Sequence, residues 1–212
     1  QTSWEMFHLS KAAERIEKHC KLLASKHELV AICENKYLMY RHFEGKIDVP
    51  EFYLVKTMTE LIEAAEKLGY PEKDVVFKPP EGKGARGVRV LTEKSDRYDL
   101  LFNGRPFAKF ISMDELKSTV GKKEIPPLMI MEYLDGVELK IDPVLQNGEM
   151  LTCSVKNRLN FASGLAMGFE MIKDDKALEY TKKLLEHLPM DYCIDISTRG
   201  GVLMEINPRV ST

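Results

Sequence analysis

Hydrophobic residues along the chain fall into short runs, and the spacing within each run predicts an element. Residues 11–25 place apolar side chains at helical spacing, which predicts an amphipathic helix capped by Ser10. LVAIC, residues 29–33, reads as a short buried strand, and residues 35–43 as a helix. PEFYLVK (50–56) reads as a strand. Thr57 then caps a helix running through Leu68 and stopped by Gly69. Residues 74–78 and 88–91 are strands on either side of a glycine-rich stretch, and a short helix opens at Ser112 or Asp114. PLMIMEYL (127–134) is a buried strand. VELKIDPVLQ and EMLTCSVK flank Asn147-Gly148, a strong hairpin signal between β-rich runs. Residues 174–188 form a helix, and DYCIDIS and GVLMEIN pair as a final hairpin over 198–201. Antiparallel pairs with helices between them predict an α+β fold rather than a doubly wound sheet.

Composition narrows the class. With 44% hydrophobic and 30% charged residues, the 212-residue chain is an ordinary globular sequence. Its net charge of −2 supplies no global field for nucleic acid or an acidic membrane, so neither is expected as a partner. No apolar run approaches the roughly 20 residues of a membrane helix, and no signal peptide is expected. The cysteines (Cys20, Cys33, Cys153 and Cys193) form no C-x-x-C pair, which points to reduced thiols in a cytoplasmic protein. The five histidines show no ligand spacing. Without an initiator Met, and stopping after EINPRVST, the sequence reads as a piece of something longer.

The candidate chemistry begins at VFKPPEGKGARGVRVL, residues 76–91. Gly82, Gly84 and Gly87 spell G-x-G-x-x-G, but a dinucleotide loop must open a helix. Here Val88-Arg89-Val90-Leu91 predicts a second strand. A kinase loop would need H-R-D and D-F-G downstream, and a Walker loop would need Ser or Thr after Gly82-Lys83. What is left is a glycine-rich hairpin with Lys78 at its root, whose backbone N–H groups can approach phosphate. Lys83 and Arg86 add charge at its tip. Taken alone, the loop reads more readily as a plain surface turn, since glycine turns are common.

MEINPR (204–209) is the second signal. Glu205 and Asn207, two apart on a strand, leave one face and offer hard oxygen donors of the kind magnesium prefers. Arg209 lies just beyond and can pair with phosphate. A three-residue loop over 199–201 brings Asp195 opposite Glu205 on that face, whereas a two- or four-residue loop turns it away. Between these signals, MIMEYLDGVELKID offers backbone groups around Glu132, Tyr133 and Leu134 for an adenine edge, and Glu138 for ribose hydroxyls. Arg158, in the basic KNRLNF run, and Asp142 are each a candidate for the site or for a solvated surface.

In this order (lysine-rooted strand, glycine hairpin, E-Y-L, G-x-E, E-I-N-P-R) the elements resemble the ATP-grasp superfamily, and among its members the synthetase units of the carbamoyl-phosphate synthetase large subunit. The resemblance runs from about Asn35 to the end. It implies an α+β ATP-grasp fold in which two subdomains clasp ATP between antiparallel sheets. It divides the chain into residues 1–34, a remnant of a preceding α/β domain or a linker, and an ATP-grasp domain over 35–212. The part over 35–125 carries the lid, and that over 126–212 the catalytic sheet. Residue by residue, Lys78 and Lys36 match phosphate contacts, and Glu81, Gly82, Lys83, Gly84, Ala85, Arg86, Gly87 and Val88 match the lid. Glu132, Tyr133 and Leu134 match the adenine hinge, and Glu138 the ribose contact. Asp195, Glu205 and Asn207 match metal ligands, and Arg209, with Arg158, the arginines near the transferred phosphate.

The implied cofactors are ATP and Mg2+. The implied activity is a ligase that makes an acyl phosphate from a carboxylate for attack by an amine or another nucleophile, so the expected partners are small-molecule substrates, flanking domains and, in some assemblies, a second copy of the chain. The chain departs from the family at Asn35, where an acidic residue is common, and in the charged lid residues Lys83 and Arg86. Two other classes stay open on the sequence: a nucleotide-binding module without turnover, and a nicotinamide-dependent dehydrogenase, which requires a helix directly after Gly87.

Overall fold

Helix starts are set by capping, and the first lies earlier than the apolar spacing suggests. Thr2 and Glu5 form a reciprocal capping box, so α1 runs over Ser3–Lys11. A short α2, Ala13–Ile16, follows, and no helix continues through residue 25. Ser10 caps nothing: its hydroxyl donates back to the carbonyl of Phe7 inside α1 and meets His27 Nδ1 at 3.0 Å. The expected strand at 29–33 is also helix. Over α3, His27–Glu34, Val30 and Cys33 are the buried positions, three apart, which is a helical interval that a five-residue apolar run conceals. The Asn35 side chain accepts from Leu38 N and caps α4, Lys36–Phe43, whose Met39, Tyr40 and Phe43 are buried. The computed structural model describes residues 2–82, 86–94, 109–162 and 165–210.

The chain divides into two units, Pro50–Tyr133, and Gln1–Val49 together with Leu134–Thr212. In the Pro50–Tyr133 unit the strands β1 (Phe52–Val55), β2 (Val75–Lys78), β3 (Arg89–Leu91), β4 (Phe110–Ile111) and β5 (Leu128–Glu132) form one sheet in the order β1-β5-β2-β3-β4. Its pairs are antiparallel except β3 with β4. Thr57 closes a capping box with Glu60 at the head of α5, Met58–Lys67, and Ser112 caps α6, Met113–Val120. Leu61, Ala65 and Leu116 from these helices join Val75, Phe77, Leu91 and Ile130 of the sheet in one buried cluster. Strand alternation sends Val76, Lys78, Met129, Met131 and Val90 to the opposite face.

The other unit is built on a six-stranded sheet of β6 (Glu138–Gln146), β7 (Glu149–Ala162), β8 (Leu165–Ile172), β9 (Tyr192–Cys193), β10 (Asp195–Arg199) and β11 (Val202–Asn207). Its order is β11-β10-β6-β7-β8, with β9 also paired to β6, and every pair is antiparallel. The Asn147-Gly148 turn joins β6 to β7, with both residues at positive φ. Sequence pattern misses β8 and the far half of β7, where Lys156-Asn157-Arg158 sets three polar residues in a row and breaks the apolar–polar alternation that signals a strand.

Cross-strand rows give this sheet its two faces. Ile206, Ile196, Ile141, Val155 and Ile172 stand side by side across five strands. The first four are buried. The helix α7 (Asp175–His187), capped by Asp174, packs on β7 and buries Ala177, Thr181, Leu184 and Leu185, and α3 packs on β11. One position along, on the other face, the row reads Glu205, Ser197, Lys140, Lys156 and Met171. The first four of these polar positions carry the candidate site.

Candidate functional site

The hairpin of β10 and β11 decides which acidic residues meet, and it does so by a route the loop-length argument does not anticipate. The turn has two residues, Gly200 and Gly201, both at positive φ, with Arg199 paired to Val202. An uncorrected two-residue turn would send Asp195 to the wrong face. A β-bulge between Ser197 and Thr198 shifts the register by one residue, so Ser197 pairs with Glu205 and Asp195 with Asn207. Asp195 therefore shares a face with Glu205 and Asn207, as expected, but through a bulge and with Asn207 rather than Glu205 as its direct partner. The extra residue is Met204, whose carbonyl accepts a 2.8 Å hydrogen bond from the hydroxyl of fully buried Tyr40 on α4.

Around this bulge the polar side chains form linked pairs. Asp195, 2% exposed, takes both hydrogen bonds of the Lys140 ammonium, at 2.8 and 3.1 Å. Arg209 Nη1 lies 3.4 Å from its other edge and donates to Val210 O at 2.9 Å. Lys140 Nζ stands 3.8 Å from Glu205 Oε1. Asn207 Nδ2 donates to that same oxygen at 3.2 Å, while Asn207 Oδ1 accepts from the Ser3 hydroxyl at 3.1 Å. Burial pushes the Asp195 carboxyl above its ordinary range, the Lys140 and Arg209 charges pull it partly back, and Asp142 adds to the rise. Ser197 Oγ, buried at the centre of this row, has no hydrogen-bond partner among the described residues.

A second ion-pair group lies further along β6. Glu138 is buried and accepts from Arg158 Nη1 on one side and, at 2.8 Å, from Arg199 Nη2 on the other. Lys156 pairs with Asp142 at 2.6 Å and lies over the Phe169 ring, 5.4 Å from its centroid. Lys140, Lys156, Ser197 and Arg199 are absent from the candidates picked by motif. What reveals the two lysines is the period-two polar face that Glu138-x-Lys140-x-Asp142 on β6 shares with Ser154-x-Lys156-x-Arg158 on β7, where Lys156 reaches Asp142 and Lys140 reaches Asp195 on β10.

The remaining candidates sit as follows. Lys36 is the first residue of α4, and Leu134 opens the second segment of the unit that also holds Glu138, Arg158, Asp195, Glu205, Asn207 and Arg209. In the Pro50–Tyr133 unit, Lys78 ends β2, is buried, and pairs across from Met129. Glu132 Oε1 accepts from Glu51 N at 2.9 Å, and Tyr133 follows β5. Glu81, Gly82, Arg86, Gly87 and Val88 lie in the connection between β2 and β3, where Gly87 has φ +75° and a Cβ would stand 2.9 Å from the Pro79 ring. Lys83, Gly84 and Ala85 lie outside the described residues. The segment after Gly87 is strand β3, so the helix that a dinucleotide loop needs does not follow it.

Comparison with known proteins agrees with this architecture. A family model described as ATP-grasp in the biosynthetic pathway with Ter operon matches residues 124–212. The carbamoyl phosphate synthase large chain of Thermomicrobium roseum is 25% identical over 94% of this chain. The chain has the ATP-grasp fold. The ATP-grasp fold recurs in the ADP complex of an N5-carboxyaminoimidazole ribonucleotide synthetase, with TM-score 0.67 and 17% identity over 96% of this chain. It recurs in the D-alanine–D-alanine ligase of Bacillus anthracis complexed with ATP, with TM-score 0.59 and 18% identity over 92% of this chain. The chain spans 18% of the length of the synthase large chain and 52% and 62% of the two solved chains.

The donors present on this face fit a hard divalent cation. Two carboxylates, an amide oxygen and the unpartnered Ser197 hydroxyl share one face, and all are oxygen donors. Among the described residues no three His, Cys, Asp or Glu side chains cluster as a self-sufficient metal cage. Such a set suits an ion that keeps part of its shell for phosphate oxygens and water. No helix among the described residues is long and apolar enough to cross a membrane.

Proposed function

We propose that this chain is the nucleotide-binding and catalytic part of an ATP-dependent ligase. In the proposed reaction a substrate carboxylate oxygen attacks the γ-phosphorus of ATP, ADP leaves, and an amine or another nucleophile then displaces phosphate from the acyl phosphate. The observation that carries the reading is the assembly of Asp195, Glu205, Asn207 and Arg209 at one bulged hairpin in a chain of this fold. The synthetase and ligase names of the similar proteins support the reaction class. Four cysteines, all free, support a reducing compartment such as the cytoplasm.

Each residue has a proposed task. Asp195, Glu205 and Asn207 would hold Mg2+, which supplies neutralisation of polyphosphate charge when bound. Arg209, already held beside Asp195 by its own backbone contact to Val210, presents a guanidinium to the transferred phosphoryl group. Lys78 and Lys36 contact phosphates. Residues 81–88 exclude water so that the acyl phosphate is not hydrolysed. Glu132, Tyr133 and Leu134 line the adenine edge. Glu138 is buried between two arginines and would meet ribose hydroxyls only by sharing oxygens with Arg158 and Arg199. That pairing makes Arg158 a residue that orients Glu138 as much as a phosphate contact.

The test is ADP release by the full-length protein with Mg-ATP and a panel of carboxylic acids. ADP is expected with a restricted subset of acids. Glu205→Gln is expected to lower the rate by roughly 10²–10³-fold while leaving the circular dichroism spectrum unchanged. An unaffected rate removes the metal assignment. Saturable ATP binding with no ADP release under any acid would point instead to a nucleotide-binding module without turnover.

A further inference from the structure

Lys140 is the residue that neither motif nor proposed mechanism accounts for. It lies near the start of β6 with its side chain almost wholly buried, directly across from Ser197 on one neighbour and Lys156 on the other. Its ammonium gives two hydrogen bonds to Asp195 and reaches within 3.8 Å of Glu205. These are the two carboxylates assigned to the metal. A cation already stands between them.

The charges on this face are matched before any ligand arrives. Lys140 answers Asp195, Lys156 answers Asp142, and Arg158 with Arg199 answer Glu138. Arg209 lies at the edge of Asp195. Among the ion pairs of the described residues here, five basic residues (Lys140, Lys156, Arg158, Arg199, Arg209) meet four acidic ones (Glu138, Asp142, Asp195, Glu205), so the buried carboxylates already have cations beside them. A bare divalent cation entering beside a buried ammonium meets repulsion that water screens poorly there. A metal–triphosphate complex is net anionic. It reverses that balance and gives the ammonium a second anion to turn to.

We infer that Lys140 is a resident counter-cation that admits the divalent ion only as its nucleotide complex and excludes the free metal, an inference that rests on the ATP reading above. The lysine keeps Asp195 paired, and so tolerably buried, while the site is empty of nucleotide. It yields part of the carboxylate when metal and polyphosphate arrive together. Lys140 is thus a positioning residue that fixes the order in which ligands are taken.

Mn2+ serves as the probe, followed by electron paramagnetic resonance on the full-length protein with and without a non-hydrolysable ATP analogue. The wild type is expected to retain Mn2+ only when the analogue is present. Lys140→Met, of similar length and without charge, is expected to bind Mn2+ alone at least roughly tenfold more tightly than the wild type does. Mn2+ alone should then raise its melting temperature. Lys140→Gln keeps a hydrogen bond to Asp195 without the charge and should behave like Lys140→Met; Gln behaving like the wild type would overturn the charge argument. Equal nucleotide-free binding by wild type and both variants, each folded by circular dichroism, would overturn the inference and leave the ATP reading standing. Failure of the wild type to retain Mn2+ even with the analogue would remove both. Should Lys140→Met not fold, Lys140→Gln alone decides, by the presence or absence of nucleotide-free binding.

Discussion

At the scale of single residues, the site depends on a side chain outside it. Met204 is the extra residue of the β-bulge, and its carbonyl has lost its ladder partner to the register shift. Tyr40 supplies the missing donor from α4. Burial pushes the Tyr40 phenol far above its ordinary value, and the Glu205 charge adds to this, so the hydroxyl keeps its proton through the working pH range. Tyr40→Phe is expected to lower stability by about 1–2 kcal/mol in urea titration, the usual loss for a buried acceptor left unpaired. It should also weaken nucleotide-dependent Mn2+ retention, because the bulge it holds puts Asp195, Glu205 and Asn207 on one face. A variant as stable as the wild type would show that the hydrogen bond does not hold the bulge. The pH dependence has a definite sign. A tyrosine whose folded pKa is raised contributes stability that is fully present below the unfolded value near 10 and declines as pH rises beyond it. Tyr180 shifts the same way, through burial first and the charge of Asp48 second. Above pH 10 the wild type should therefore lose stability more steeply than Tyr40→Phe, which lacks the Tyr40 contribution and keeps that of Tyr180.

At the scale of elements, the β10–β11 turn and the Asp135-Gly136 turn pack backbone against backbone. Gly200 N donates to Val137 O at 3.1 Å, and a Cβ on Gly136 would stand 3.0 Å from Gly200 Cα. A Cβ on Gly200 would overlap the carbonyl oxygen of Asp135, whereas one on Gly201 would meet open space. Both have positive φ, so an alanine at either bears the left-handed penalty of about 1–2 kcal/mol. Gly201→Ala is expected to show that penalty alone, and Gly200→Ala to exceed it by at least about 1 kcal/mol, since backbone rather than a movable side chain blocks the methyl. Equal losses in parallel denaturation curves would rule out the close approach. These turns also mark how far sequence pattern reaches. Both hairpins are legible from their glycines, and the E-I-N-P-R strand from its alternation. The bulge is not, because a two-residue turn and a three-residue turn read alike through Arg199-Gly200-Gly201, and what selects the register is packing that includes a tyrosine 164 positions upstream. The N-terminal helices escape for a similar reason: Leu29 to Cys33 is apolar enough for a strand, and only the buried pair Val30 and Cys33 reveals the helical period.

At the scale of the whole molecule, ligand linkage discriminates between the readings. The order of motifs points to the fold, but a motif supplies no partner list. The ion pairs of Lys140, Arg158 and Arg199 each cross from one strand to another, with partners 55, 20 and 61 positions away, so they are invisible until those strands are paired. A ligand that binds the folded chain and not the unfolded one stabilises it by about 2.7 kcal/mol at a hundred times its dissociation constant. For a chain of this size that corresponds to a rise of roughly 5–10 °C in melting temperature. Mg-ATP is expected to produce such a rise and NADH none, since strand β3 stands where a dinucleotide loop requires a helix. Chelating the metal should remove most of the ATP effect in the wild type. In Glu205→Gln, chelation should change little, because the divalent ion then lacks one of its anchoring carboxylates and the nucleotide binds through its basic contacts alone. Stabilisation by NADH instead of Mg-ATP would return the glycine loop to the dinucleotide reading. A chelator-insensitive ATP shift in the wild type would detach Asp195, Glu205 and Asn207 from nucleotide binding altogether.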